Sequence, residues 1–205
     1  MRSWSYGRRA TLAATVMTTA FAAAGAWNAH AADSTAAHYT SDPAKSTLEY
    51  QFEQAGAQNK GKFGKFTATL DFSPDNLAAS KLDVVVQMAS LDTGDKERDD
   101  TLKSADLFAV EKFPQAHFTS TQITKTANGY DAAGKLTLRG VTHDIHVPFS
   151  LKSANEAGKP TAYLFGKTTL KRLDFGVGQG DWKSTEWVGN DVAVTYSLRL
   201  VAGAQ

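Results

Sequence analysis

The sequence predicts an all-β protein: about eight antiparallel strands with one short helical insertion around residues 95–108. Three observations carry that reading. Apolar residues recur with period two along most of the chain after residue 45, the pattern of strands with one buried face. Turn signals separate these runs: Ser73-Pro74-Asp75-Asn76, Asn128-Gly129, Arg139-Gly140 and Asn155-Glu156-Ala157-Gly158. A single stretch, residues 94–108, breaks the alternation, and its acidic start (Asp95, Glu97, Asp99, Asp100) suits a helix N-terminus.

Residues 1–31 read as a leader. Arg2, Arg8 and Arg9 precede a run of small and apolar residues over 10–27, and Ala29-His30-Ala31 has the small-x-small form of a cleavage site. The run is too rich in Ala and Thr for a good membrane anchor, so cleavage after Ala31 is expected. Arg8-Arg9 fits a twin-arginine signal only weakly, and ordinary secretion is the simpler route. Residues 32–44 form a small, polar lead-in expected to be mobile. Residues 45–205 then make one domain with one sizeable core. The 205-residue chain has no cysteine, so burial and backbone pairing alone must hold an exported fold together. With 22 Lys and Arg against 21 Asp and Glu, the net charge of +1 implies no nucleic-acid surface.

The strands follow in order. "STLEYQF" places Leu48, Tyr50 and Phe52 on one face, and "KFTATLDF" does the same with Phe66, Ala68, Leu70 and Phe72. "KLDVVVQM" offers Leu82, Val84, Val86 and Met88. After the helix, whose Leu102 should face the sheet, Phe113-Pro114 ends the excursion, and strands are expected around 116–123 and 162–172. "GKLTLRG" offers Leu136 and Leu138, and "VTHDIHVPFSL" offers Val141, Ile145, Val147, Phe149 and Leu151. "DVAVTYSLRL" closes the set with Val192, Val194, Tyr196, Leu198 and Leu200. Such strands fold into a sandwich or close into a barrel, and closure removes the unpaired edges.

Chemical motifs are sparse. His143 and His146 are three apart, and on a strand such residues point to opposite faces, so they cannot chelate one ion together. Pro148 cannot donate to a ladder, which predicts a bulge or a seam. The carboxylates around Asp99 and Asp100 suit a solvated helix start better than catalysis. "FGVGQGDW" (175–182) has the wrong spacing for a dinucleotide fingerprint and reads as a glycine-rich connection ending in an aromatic plug. No metal or catalytic set emerges. What remains is the apolar inside of the sheet, which is either a solid core or a cavity for one elongated ligand; small inward residues (Ala68, Gly134, Gly166) would leave room.

Several stretches resemble the YceI-like family of exported bacterial proteins. They are "SDPAKSTLEYQF", "GKFGKFTATLDFSPDNLAAS", "KERDDTLKSADLFAVEKFPQAHFTS", "GKLTLRGVTHDIHVPF", "LKRLDFGVGQGDW" and "VGNDVAVTYSLRL". The resemblance implies a lipocalin-like eight-stranded barrel holding a long isoprenoid or quinone-type amphiphile, with no cofactor beyond that lipid and no enzymatic activity. Tunnel lining would then fall on Tyr50, Phe52, Phe66, Leu70, Phe72, Val84, Val86, Met88, Phe108, Phe118, Leu136, Leu138, Ile145, Val147, Phe149, Val192 and Val194. His143, Arg172 and Trp182 would stand at the rim or near a head group, with Arg172 near a barrel end, where it can hydrogen-bond loop carbonyls. The resemblance further implies a periplasmic monomer or homodimer, linked to stress responses, with a membrane di-haem cytochrome b as a partner. A broad scavenger of hydrophobic small molecules, such as drugs, is the alternative.

Overall fold

The computed structural model describes residues 36–203; the leader expected over 1–31 and its cleavage after Ala31 lie outside the described residues. Eleven strands form one sheet: β1 (Ala37–Ser41), β2 (Thr47–Gln54), β3 (Ala57–Phe63), β4 (Phe66–Phe72), β5 (Lys81–Gln87), β6 (Leu91–Asp92), β7 (Gln115–Thr126), β8 (Gly129–Leu138), β9 (Val141–Glu156), β10 (Lys159–Lys171) and β11 (Val188–Ala202). All pairings are antiparallel, in the order β1-β4-β5-β7-β8-β9-β10-β11, and β1 pairs with β11 to close the ring.

The ring has eight staves, as the sequence predicts, because the first three are each made of two pieces. β1 and β2 run consecutively along one side of β11, with Ser41 opposite Leu200 and Tyr50 opposite Val194. β3 and β4 make the second stave and β5 and β6 the third, with Tyr50 opposite Gly61, Tyr39 opposite Leu70 and Phe63 opposite Leu91. Pro43–Lys45 interrupts the first stave and Met88–Ser90 the third, each as a tight helical turn, while Gly64 and Lys65 interrupt the second. Each interruption reverses the inward parity: Ser41 gives way to Leu48 and Tyr50, Phe63 to Phe66 and Ala68, Met88 to Leu91. Serine hydroxyls repair the lost ladder. Ser90 Oγ accepts from the Lys65 amide at 3.0 Å and donates to the Gln87 carbonyl at 2.6 Å, and Ser46 Oγ accepts from the Arg199 amide at 3.0 Å.

Two expectations are corrected. The lead-in over 32–44 contains β1, which completes the ring, so the barrel begins before residue 45. The helical insertion is shorter than 95–108: α1 spans Lys96–Lys103, capped by Asp95 Oδ1 accepting from the Arg98 amide at 3.1 Å. The helix stops where Ser104 turns extended, and turns carry residues 104–114, among them a bond from the left-handed Ala109 back to the Ser104 carbonyl.

The predicted seam lies at Pro148. The β9–β10 ladder stops at Phe165 opposite Ser150. Beyond it, side chains span the gap: Tyr196 Oη donates to the Pro148 carbonyl at 2.5 Å and Thr168 Oγ1 to the His146 carbonyl at 2.9 Å.

One end of the barrel is packed solid. Leu70 and Leu200 have 0% of their surface exposed and Ala162 has 1%. The Tyr130 ring meets Phe72 edge-on at 5.0 Å and stacks on Phe149 at 5.5 Å, filling the axis. On the outside of this end, Arg199 bridges Asp42 at 2.8 Å and Glu156 at 2.7 Å.

Candidate ligand cavity

Above that floor the inward side chains no longer meet. They enclose a cavity with about 220 Å³ in which the centre of a water molecule can move. That is far more than the roughly 10–15 Å³ needed to seat one water, so it is a site and not a packing defect. The cavity splits the core: Tyr50, Phe52 and Val188 form a small cluster apart from the main one, and Phe63, Trp182 and Val194 touch both. Val84, Ile145, Val147 and Val192 face inward yet are only half-buried, as residues bordering a hollow must be.

A lid built from two insertions covers this end. α1 and the turns after it supply Leu102, Leu107 and Phe108; the segment after β10 supplies Phe175, Val177 and Trp182. The two are stitched together by the Gly178 and Gln179 amides, which donate to the Asp106 carbonyl at 3.0 and 2.7 Å, while Arg139, in the turn between β8 and β9, ties the first to the barrel through Nη2 donating to the Ala105 carbonyl at 2.8 Å. At the root of α1, Asp99 Oδ1 accepts from the Thr93 amide and hydroxyl at 2.9 and 2.7 Å.

Arg172 organises the second insertion. It is 5% exposed, and its guanidinium donates to five carbonyls, those of Gly189, Val177, Trp182, Ser184 and Val188, at 2.7–3.2 Å. Five donors on five carbonyls leave none over, and burial lowers its pKa from the usual guanidinium value. Gly178 makes this possible: with φ +110° a Cβ there would lie 2.0 Å from Arg172 Nη1. The glycines of "FGVGQGDW" thus serve backbone geometry around an arginine.

Fourteen of the seventeen expected lining residues border the cavity: Tyr50, Phe52, Phe66, Val84, Val86, Met88, Phe108, Phe118, Leu136, Leu138, Ile145, Val147, Val192 and Val194. The other three, Leu70, Phe72 and Phe149, do not; their side chains are consumed in the packed floor. Trp182 lines the underside of the lid. His143 stands at the rim outside the cavity, its Nε2 donating to the Asp174 carbonyl at 2.9 Å and its ring edge-on to Phe175 at 5.1 Å. His146 bonds Asp131 through Nδ1 at 2.6 Å, well apart from its neighbour in sequence. Arg172 lines the wall, but its donors are spent on carbonyls and offer nothing to a head group.

The small inward residues do not create the bore. A Cβ on Gly166 would strike the Tyr196 ring at 2.8 Å and one on Gly134 the Phe118 ring at 2.9 Å, so aromatic rings already occupy that space. Residues missed by sequence reasoning include the lid's Leu107, Phe175 and Val177, Arg98 and Thr101 on α1, and the wall's Gln54, Phe63, Thr168, Leu170 and Val188. The lid residues lie in irregular segments, where no periodicity marks an inward face. Among the described residues, no three His, Asp or Glu side chains group as metal ligands would.

Residues 39–200 match the YceI-like domain. Among curated relatives, the UPF0312 protein YE1254 of Yersinia enterocolitica is 46% identical over 85 residues, 42% of this chain and 44% of that protein. Protein YceI of Salmonella arizonae is 38% identical over 121 residues, 57% of this chain and 62% of that one. The chain thus matches about half to two thirds of the length of these relatives. Among solved structures, Burkholderia cenocepacia BcnA superposes with a TM-score of 0.72 at 34% identity, covering 80% of this chain and 99% of that one. A polyisoprenoid binding domain from Saccharophagus degradans, implicated in plant cell wall breakdown, shares the fold with a TM-score of 0.62 at 16% identity, covering 82% and 99%.

Proposed function

The chain belongs to the YceI-like family, and from that premise we propose that it is a non-enzymatic lipid-binding protein holding a long isoprenoid or quinone-type amphiphile. The observation that carries the reading is the hollow itself: an apolar cavity with a packed floor and a jointed lid. The polyisoprenoid-binding description of the Saccharophagus domain, which shares this fold, supports it.

The floor fixes the polarity of loading: a tail entering under the lid runs toward Tyr130 and Phe149, and its head stays at the lid. A prenyl chain has almost no polar handles, so each buried methylene contributes about 0.8 kcal/mol and recognition depends on bore and depth. Ordering the chain offsets part of that gain, which suits a carrier that must also release its cargo. With the leader expected over residues 1–31, the place of action in this reading is the periplasm.

The test is native mass spectrometry of protein purified from the periplasm of its host cells without delipidation. A co-purifying apolar adduct, displaced by an added polyprenyl compound, is the expected result. Repeated apo spectra with no uptake of added prenyl lipid would overturn the reading. Displacement by many unrelated apolar drugs would turn it toward broad scavenging.

A further inference from the structure

We propose that the seam between β9 and β10 is the portal of the cavity: the apolar tail of an amphiphile passes sideways through it, with the Thr168 and Tyr196 hydroxyls as its latches. This rests on the reading of the cavity as an amphiphile site and adds to it the route by which the ligand comes and goes.

The two strands pair where the barrel is solid and part where it is hollow. Beside the floor their ladder is complete, from Lys159 opposite Glu156 to Phe165 opposite Ser150. Both strands then run on, β9 back to Val141 and β10 forward to Lys171, yet the ladder pairs none of these residues across the seam. Pro148 explains where the ladder stops, but it lacks only one donor. Continuing the register would set Thr169 opposite His146 and Lys171 opposite Asp144, positions with no proline, and the ladder does not resume there. The part of β10 left without a partner on this side, Gly166 to Lys171, makes the seam roughly 20 Å long.

Its inner edges are cavity wall. Ile145 and Val147 on β9 and Thr168 and Leu170 on β10 all border the hollow, and all are half-buried. Three of the four are hydrocarbon, so a tail crossing between them stays out of water. On the outside each edge is braced away from the other. Asp144 accepts from Lys135 at 2.9 Å and His146 bonds Asp131 at 2.6 Å, both on β8, whereas Lys171 donates to Asp191 of β11 at 3.0 Å. Beside the floor, by contrast, Tyr163 and Arg199 reach across to Glu156 of β9. Among the described residues no ion pair crosses the seam itself. It is spanned by the Thr168 hydroxyl on the His146 carbonyl and the Tyr196 hydroxyl on the Pro148 carbonyl, and at the lid end by His143 on the Asp174 carbonyl. The lid is held harder: Arg172 grips five carbonyls, and two backbone amides join the insertions at Asp106. Of the two closures, the seam is the one a passing tail can part and let close again.

The chain has no cysteine, so the seam can be pinned selectively. The double variant His146→Cys/Thr169→Cys, altered at two exposed positions, is bridged with a bismaleimide and compared with the same protein capped by N-ethylmaleimide, intact mass identifying each product. Stopped-flow uptake of the apolar dye N-phenyl-1-naphthylamine should be about tenfold slower in the bridged protein, and release of the dye into phospholipid vesicles should slow with it. Thr168→Val, which removes one latch and keeps the branched shape, should take up and release the dye about fivefold faster than the wild type. Equal rates in the bridged and capped proteins overturn the proposal, as does a Thr168→Val protein no faster than the wild type. Absence of any dye uptake by the wild type would instead sink the cavity reading beneath it.

Discussion

The two ends of this barrel are built from the same staves with the same alternation, yet one is solid and the other hollow. At the floor, Phe72, Tyr130 and Phe149 send rings across the axis, and Leu70 and Leu200 close what is left. Under the lid the inward positions carry Val84, Val147, Val192 and Val194 beside Phe52, Phe66 and Phe118, and all of them border the hollow. An eight-stranded barrel is just wide enough to be filled by its own side chains or to hold one small ligand. Whether the inward side chains meet across the axis, as Phe72, Tyr130 and Phe149 do, selects between these outcomes. Glycine does not: Gly61, Gly134 and Gly166 each lie beneath an aromatic ring that takes up the space they free.

That contrast can be broken most forcefully at the floor. Phe149→Ala should cost about 3–5 kcal/mol, while Val194→Ala, facing the cavity, should cost about 1 kcal/mol or less, because the hollow already supplies the void. Urea unfolding midpoints of the two variants check the difference, and equal losses would mean that the two ends are packed alike.

Next comes the lid. Arg172→Ala strands five carbonyls and frees residues 176–189 from their common anchor. A loss of about 3 kcal/mol is expected, together with faster amide exchange confined to this segment and to its contact at Asp106. Exchange spreading first through the floor would contradict the division of labour between the ends.

The smallest effect sharpens the floor's outer rim. The Tyr163 hydroxyl and then the Arg199 guanidinium hold the Glu156 carboxyl below its ordinary pKa of 4.5. A depressed carboxylate pKa contributes stability that is complete above the unfolded value and lost as pH falls through the folded one. Glu156→Gln should therefore flatten the acid limb of the stability curve below about pH 4.5 without abolishing it, since Asp92, Asp100 and Asp144 are lowered as well. Denaturant midpoints measured from pH 7 down to 3 test this.

Much of this architecture was legible in the residues. Six of the eight staves showed through the alternation, each with a clean apolar face such as Leu48, Tyr50 and Phe52, and strands were expected at the other two, around 116–123 and 162–172. The seam followed from the donor that Pro148 lacks. The resemblance and the inward face placed Arg172 among loop carbonyls. The second pieces were hidden for a physical reason. In β3 the inward side chains are Asn59, Gly61 and Phe63, which carry no hydrophobic period, since a phenol from the next strand does the covering. The hollow was legible only in outline. Alternation says which way Leu70 and Val84 point, and nothing in a one-dimensional pattern says which of them finds a ring opposite.

The three interrupted staves carry a further implication. A change of one residue in a strand normally turns its surface inside out. Here adjacent staves each absorb an odd insertion at a neighbouring level, so the reversals match and the inward face of each piece stays inward. No single interruption can be straightened alone: a regular strand run through Gly64 and Lys65 would aim Phe63 and Gly61 outward while β2 and β6 held their places. The three kinks thus form one geometric unit, in which straightening any one demands straightening its neighbours.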